Sequence, residues 1–316
     1  MIGNVPTSKA MAASTRRDGA ARRGRKHSIH FDIGPWLVLP ALLVLAVFVY
    51  RPLGRSLQLS FYGTDLLGQP SRFVGGENWA DFVTSPDLLR TVGVSILIAV
   101  IAMVMAVSFA LASALLLRSK IPGRGIFQVL FSLPFAYSAA SASAVFYALF
   151  GPSVGLVNTM MAGLGLDMLP WLQKPGWAIF TVAMTTAWYE SGFAFLVLIA
   201  AVKAIPDEVV EAAGLDGASS WALVRWVLIP MMWPSLFFLI VTQTITGLQT
   251  FTQVYVMTRG GPQNATTTLV FELYMTAFGS GTPDYGRASV VAIFLVAIVG
   301  AVTALQFQLS RRMNEA

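Results

Sequence analysis

The chain has 316 residues, 56% of them hydrophobic and only 11% charged, with a formal net charge of +6. Soluble domains carry roughly 25% charged residues, so most of this chain is composed for lipid rather than water. It has no cysteine, which excludes disulfides, thiolate metal sites and cysteine nucleophiles, and its two histidines, His27 and His30, lie in a basic N-terminal segment away from any apolar run.

Residues 1–31 form the basic segment, which includes "STRRDGAARRGRKHS" with Arg16, Arg17, Arg22, Arg23, Arg25 and Lys26. Its twin arginines fit an export signal, but no small-residue cleavage site follows in the next apolar run. The favoured reading is a disordered cytoplasmic arm that touches anionic lipid.

A helix that crosses the hydrocarbon core needs about 20 mainly apolar residues. Six runs qualify: Gly34–Pro52, Val92–Leu117, Ile126–Phe150, Trp177–Val202, Trp233–Met257 and Ala288–Leu309. Residues 32–310 are therefore read as one six-helix transmembrane domain, and 311–316 as a short C-terminus. Pro40, Pro134 and Pro234 fall in or beside these runs, where neighbouring helices can satisfy the freed carbonyls.

Lysine and arginine placement sets the orientation. The N-terminal arm, the segment with Arg118, Lys120 and Arg124, and the C-terminus with Arg311 and Arg312 all fall on one side if there are six spans. That side is expected to be the cytoplasm, and it also receives residues 203–230, between the fourth and fifth runs. The outside segments, about 53–90, 151–175 and 258–286, are too short to be domains. Residues 53–90 have room for a packed loop or a surface helix. "RGGPQNATTT" reads as an external gate or as a plain loop re-entering the bundle.

Residues 203–230 interrupt two very apolar segments with acids and small residues. Asp207, Glu208 and Glu211 suit a positive helix N-terminus after Pro206. Val209, Val210 and Ala213 share one side of that helix. Asp216-Gly217 supplies turn chemistry, and Ser219 or Ser220 can cap a second helix running toward Pro230. Two readings stand on pattern alone: a helix seated in a groove of a soluble partner, or an interfacial helix resting on lipid headgroups.

Two further places carry chemistry. Glu190 sits inside the fourth run beside Trp188 and Tyr189, and an acid at membrane depth lines a cavity or meets a partner. At about 100° per residue, Gln243, Thr246, Thr250 and Gln253 fall on one face of the fifth run, where they either glue helices together or line a wet path for a hydroxylated solute. A carboxylate beside aromatic rings suits a quaternary ammonium and repels a bare phosphate. No G-x-x-x-x-G-K-[ST] phosphate loop is present, so ATP hydrolysis through that motif belongs to another chain.

"EAAGLDGASSWALVRWVLIPMMWP" resembles the EAA loop of binding-protein-dependent ABC importer permeases of type I: Glu211, Ala212, Ala213, Asp216, Gly217 and Ala218 match, and Val227, Ile229 and Pro230 take the later aliphatic and proline positions. "FQVLFSLPFAYSAASASAVFYALFGPSVGLVN" and "YVMTRGGPQNATTTLVFELYMTAF" are similar to the third span and to an outer stretch of the carbohydrate-uptake branch. "SRFVGGENWADF" and "GGPQNATTTLVFELY" look most like the A-type permease subunit of glycerol-3-phosphate and glycerophosphodiester importers. The family often has lysine beside the span-four tryptophan, where this chain has Tyr189 and Glu190.

The resemblance implies an all-α membrane fold with six transmembrane helices and a cytoplasmic coupling helix over Glu211, Ala212, Ala213, Asp216 and Gly217. It implies a non-catalytic subunit in the bacterial cytoplasmic membrane, with both termini inside. Its implied partners are a second, different permease chain, two copies of an ABC ATPase that bind ATP and Mg, and an extracytoplasmic substrate-binding protein. No cofactor and no nucleic acid is expected on this chain. The expected cargo is glycerol-3-phosphate or a glycerophosphodiester such as glycerophosphocholine, with a sugar or oligosaccharide as the alternative. A stand-alone channel or secondary transporter is the reading from a different class, and it leaves the acidic loop without a purpose.

Overall fold

A computed structural model describes residues 34–119, 122–152, 155–279 and 281–315. The basic arm over 1–31 lies outside the described residues. Residues 1–51 and 52–316 form two compact units. The first helix, α1, is apolar enough to cross a membrane over Val38–Leu59. Its segment Gly34–Leu45 contains Pro40 and no charged residue, so every face suits lipid.

Residues 52–316 carry the other spans: α3 (Leu88–Leu116), α7 (Pro175–Lys203), α9 (Ser220–Leu248) and α12 (Tyr285–Glu315). The third apolar run is not one straight helix. It is a pair, α4 (Arg124–Ala136) and α5 (Ala139–Phe150), bent by 103°, which makes a sixth span if the two are counted together. Pro134 in the last turn of α4 has no N–H to continue the ladder. Ser138 then starts a new helix by accepting from the Ser141 amide at 3.1 Å.

The fifth span also differs from the sequence reading. Ser219 caps a helix that runs without interruption through Pro230 and Pro234 and ends at Leu248, so the span starts 13 residues before Trp233. The chain then turns into the short α10 (Thr252–Met257). The last helix likewise runs on to Glu315 instead of stopping at Leu309.

The core forms where α3, α7 and α9 meet. Ala99, Ala102, Ala106, Ala110 and Ala114 make a buried stripe along α3, at intervals that keep them on one side of the helix. Such small side chains let helix backbones approach closely in the absence of a hydrophobic drive between spans. Phe195, Leu198 and Val202 of α7 and Met232, Leu236 and Leu239 of α9 pack at the end nearer the acidic loop that joins these two helices. The buried threonines of α7 are satisfied within the helix: Thr185 donates to the Thr181 carbonyl at 2.8 Å and Thr186 to that of Val182 at 2.9 Å. Gly192 of α7 lies against the bend between α4 and α5, where a Cβ would collide with the Phe135 amide nitrogen.

At the other end, residues 53–90 complete α1, form a hairpin of β1 (Tyr62–Thr64) with β2 (Pro70–Phe73), and add α2 (Glu77–Thr84). α6 (Leu156–Gly163) follows α5. α11 (Leu269–Gly279) is apolar but shorter than a span, and it lies in the outside segment 258–286, for which the sequence reading names no helix.

Candidate functional site

The interrupted segment folds as α8 (Asp207–Leu215), a turn, and the first turns of α9. The Ala218 amide donates to the Ala213 carbonyl at 3.0 Å and Gly217 to Gly214 at 3.1 Å, the paired bonds that close a helix through a left-handed residue. Gly217 supplies that residue, with φ +77°, and no neighbour lies within 4 Å of where a Cβ would be, so conformation alone demands glycine there. Ser219 caps the next helix by accepting from the Ala222 amide at 3.2 Å.

Val209, Val210 and Ala213 are half-buried, and Val210 packs against the main core. Glu208, Glu211, Ala212, Leu215, Asp216 and Gly217 are exposed. This exposed face is acidic at one end, and Leu215 is 90% exposed, an apolar side chain with nothing over it. Arg118 ties the loop to the bundle by donating to the Val202 carbonyl at 3.0 Å and to Asp207 at 3.4 Å.

Inside the bundle, Gln243 of α9 reaches Glu190 of α7. Its Nε2 donates to Glu190 Oε2 at 3.3 Å and to the Glu190 carbonyl at 3.4 Å. Gln243 is buried and Glu190 half-buried. Glu190 thus has its polar contact within this chain. Trp188 holds an aromatic group, edge-on to Tyr137 with ring centres 5.6 Å apart and tilted on Phe146 at 5.4 Å. Trp188 also lines an apolar cavity of about 180 Å³ with Met105, Phe109, Met184, Ala187 and Ser191. Tyr137 comes from the break in the third span, so the bend carries a ring to the fourth span. Tyr189 is half-buried.

The polar face read over the fifth span is not one stripe. α9 ends at Leu248, which puts Thr250 in the following turn and Gln253 on α10. Thr246 is exposed and donates to its own helix at Thr242, 3.0 Å away. Thr250 is buried, and its carbonyl accepts from Thr268 at 2.8 Å, while its hydroxyl is enclosed without a partner. Gln243 alone of the four bonds to Glu190. A period of 100° per residue holds only while the helix continues.

The threonines of "NATTTL" act as stitching. Thr266 donates to the Gly261 carbonyl at 2.8 Å, and Thr268 caps α11 by accepting from the Phe271 amide at 3.3 Å. Ser95 of α3 accepts from the Leu269 amide at 2.9 Å, a role invisible in the sequence because the two lie 174 residues apart.

Comparisons with known proteins agree with this architecture. Residues 106–315 match the family model of the binding-protein-dependent transport system inner membrane component. The sulfoquinovosyl glycerol transport system permease protein SmoG of Agrobacterium fabrum is 30% identical over 276 residues, covering 87% of this chain and 89% of that protein. The lactose transport system permease protein LacF of Rhizobium radiobacter is 30% identical over 288 residues, covering 89% and 95%. The sn-glycerol-3-phosphate transport system permease protein UgpA of Yersinia enterocolitica is 32% identical over 283 residues, covering 87% and 93%. The fold superposes with TM-score 0.74 on a chain in the crystal structure of a bacterial ABC transporter that imports the acidic polysaccharide alginate, at 21% identity and covering 88% of this chain and 94% of that one. Helices for five or six spans among the described residues, an exposed acidic loop between the fourth and fifth, and these relatives together identify the chain as a member of the binding-protein-dependent transport system inner membrane components, the permease subunits of ABC importers.

Proposed function

We propose that this chain forms half of the membrane pathway of an ATP-driven importer for glycerophosphodiesters such as glycerophosphocholine. A second permease chain would supply the other half. Of two ABC ATPases, which bind ATP and Mg, one would dock on this chain at the cytoplasmic end, on the exposed face of α8 around Glu211, Ala212, Asp216 and Gly217 with the half-buried Ala213 behind it. An extracytoplasmic binding protein would deliver the solute at the other end. ATPase closure would push on α8. Because the second loop helix is continuous with α9, that push would pass directly into the span that carries Gln243.

The observation that supports the cargo is the Glu190–Gln243 pair, which joins α7 to α9 inside the bundle. A carboxylate inside the bundle favours a solute that carries a cation, such as a quaternary ammonium, and an amide accepts and donates to glycerol hydroxyls. A phosphomonoester carries more negative charge and no cation to offset Glu190, so glycerol-3-phosphate fits less well. A neutral sugar is the second reading, favoured by the relative that transports lactose.

The test is uptake into proteoliposomes holding the complete transporter, with its binding protein and ATP outside and inside respectively. Glycerophosphocholine uptake that requires ATP supports the proposal. Uptake of disaccharide alone would replace the cargo, and uptake of any solute without an ATPase would remove the importer reading.

A further inference from the structure

A cavity of about 440 Å³ opens at the end of the bundle away from the coupling loop, and the pathway described above makes no use of it. Its position follows from α3. Leu88 and Thr91 at the start of that helix line the cavity, whereas Arg118, just past its far end, bonds to the coupling loop. The walls come from α2, α3, α11 and the start of α12. The charged groups facing the cavity are Asp87, Glu272, Asp284 and Arg287.

The walls are braced. Asn78 donates to the carbonyls of Ser60 and Tyr62 at 3.1 and 3.0 Å, and Trp79 Nε1 donates to Ser60 Oγ at 3.1 Å. Asp284 Oδ1 accepts from Thr64 Oγ1 at 3.1 Å and from the Arg287 amide at 2.9 Å, which clamps the hairpin to the start of α12. The cavity is therefore built into the fold and is more than a gap between loops.

Its charges do not balance. Three carboxylates face one guanidinium. Asp284 spends an oxygen on the clamp, but the half-buried Glu272 carboxylate takes no hydrogen bond and no ion pair among the described residues. Withdrawing a carboxylate from water without a partner is unfavourable, and an arriving cation would offset that cost. No three acids converge as metal ligands among the described residues, so the fitting cation is one carried on its own arm.

We propose that this cavity is the socket for a lysine or arginine side chain of the importer's extracytoplasmic binding protein, received by Glu272 and Asp87. The proposal rests on the import reading above. It adds the chemistry by which the partner is held: a cationic side chain inserted into a preformed, acid-lined recess. Arg287 is the internal competitor for the same carboxylates.

The test is titration of purified binding protein onto the whole transporter in nanodiscs, at low and high salt. Glu272→Gln and Asp87→Asn are each expected to raise the Kd about tenfold at low salt, as for loss of one charge pair across an interface. Arg287→Gln is expected to lower it, because the competitor is gone, and a damaged fold cannot produce that opposite sign. Unchanged Kd in both acid variants overturns the socket while leaving the import reading intact, as does weakening by Arg287→Gln. A wild-type transporter that binds no binding protein overturns both.

Discussion

Arg118 is joined to Asp207 across the foot of the bundle, yet the pair is lopsided: 18% of the arginine side chain is exposed and 92% of the aspartate. An ion pair so wet contributes about 0–1 kcal/mol. The bond from Arg118 to the buried Val202 carbonyl is the stronger tie. Asp207→Asn should therefore lower stability by less than about 0.5 kcal/mol, and Arg118→Ala by about 1–3 kcal/mol through loss of a charged donor from a carbonyl that keeps the Ile205 amide at 3.4 Å. Thermal unfolding of the purified transporter measures both, and equal losses would contradict the ranking.

Glu211 is exposed and makes no side-chain bond among the described residues. Glu211→Ala should leave insertion and subunit stability within about 0.5 kcal/mol of wild type. Substrate-stimulated ATP hydrolysis should fall about tenfold, the effect of losing one interface charge contact. Full stimulation in this variant would reject Glu211 as a coupling contact.

Gly217 ends α8 at φ +77° with open space around it. Gly217→Ala should cost about 1–2 kcal/mol in backbone strain, and Gly217→Asn less, since asparagine tolerates that conformation. Retention of ATPase during purification reports the difference. Indifference to both substitutions would mean the turn is not held in the assembly.

Within the pathway, Glu190→Gln keeps a partner for Gln243 and removes the charge. Uptake of a quaternary ammonium solute should fall about tenfold, and uptake of a neutral sugar should change less than twofold. Parallel losses for both solutes would make Glu190 a structural group.

Glu272, outside the spans, is held above the ordinary carboxyl value of 4.5 by burial first and by repulsion from Asp87 second, with Arg287 opposing. A raised carboxyl pKa means the folded chain binds the proton more tightly than the unfolded one. Its contribution to stability is thus full below 4.5 and is lost as pH rises through the raised value. Docking of a cationic side chain has the reverse sense and weakens as pH falls through that same value. In Glu272→Gln this part of the pH dependence should disappear from binding titrations, and its persistence would assign it to another group.

Much of the fold was legible locally. The fourth span, read as Trp177–Val202, is Pro175–Lys203, because apolar length is a property of one segment and lipid demands little else. The turn at Asp216-Gly217 and the cap at Ser219 were legible for the same reason. The kink in the third span was only half visible: Pro134 marks the place, but the 103° bend also needs Gly192 on another helix to admit Phe135. The candidate face Gln243, Thr246, Thr250 and Gln253 failed where α9 stopped at Leu248, since periodicity carries no information about where a helix ends inside a bundle.

What the sequence by itself determined was the solvent, the number of apolar runs and the family of the acidic loop, all encoded in composition or in residues a few positions apart. Tertiary structure alone decided which polar groups meet. Gln243 finds Glu190 53 positions away, and Thr64 finds Asp284 220 positions away. The physical reason is that each such bond depends on helix packing, and many sequences with the same local pattern would bring different side chains together.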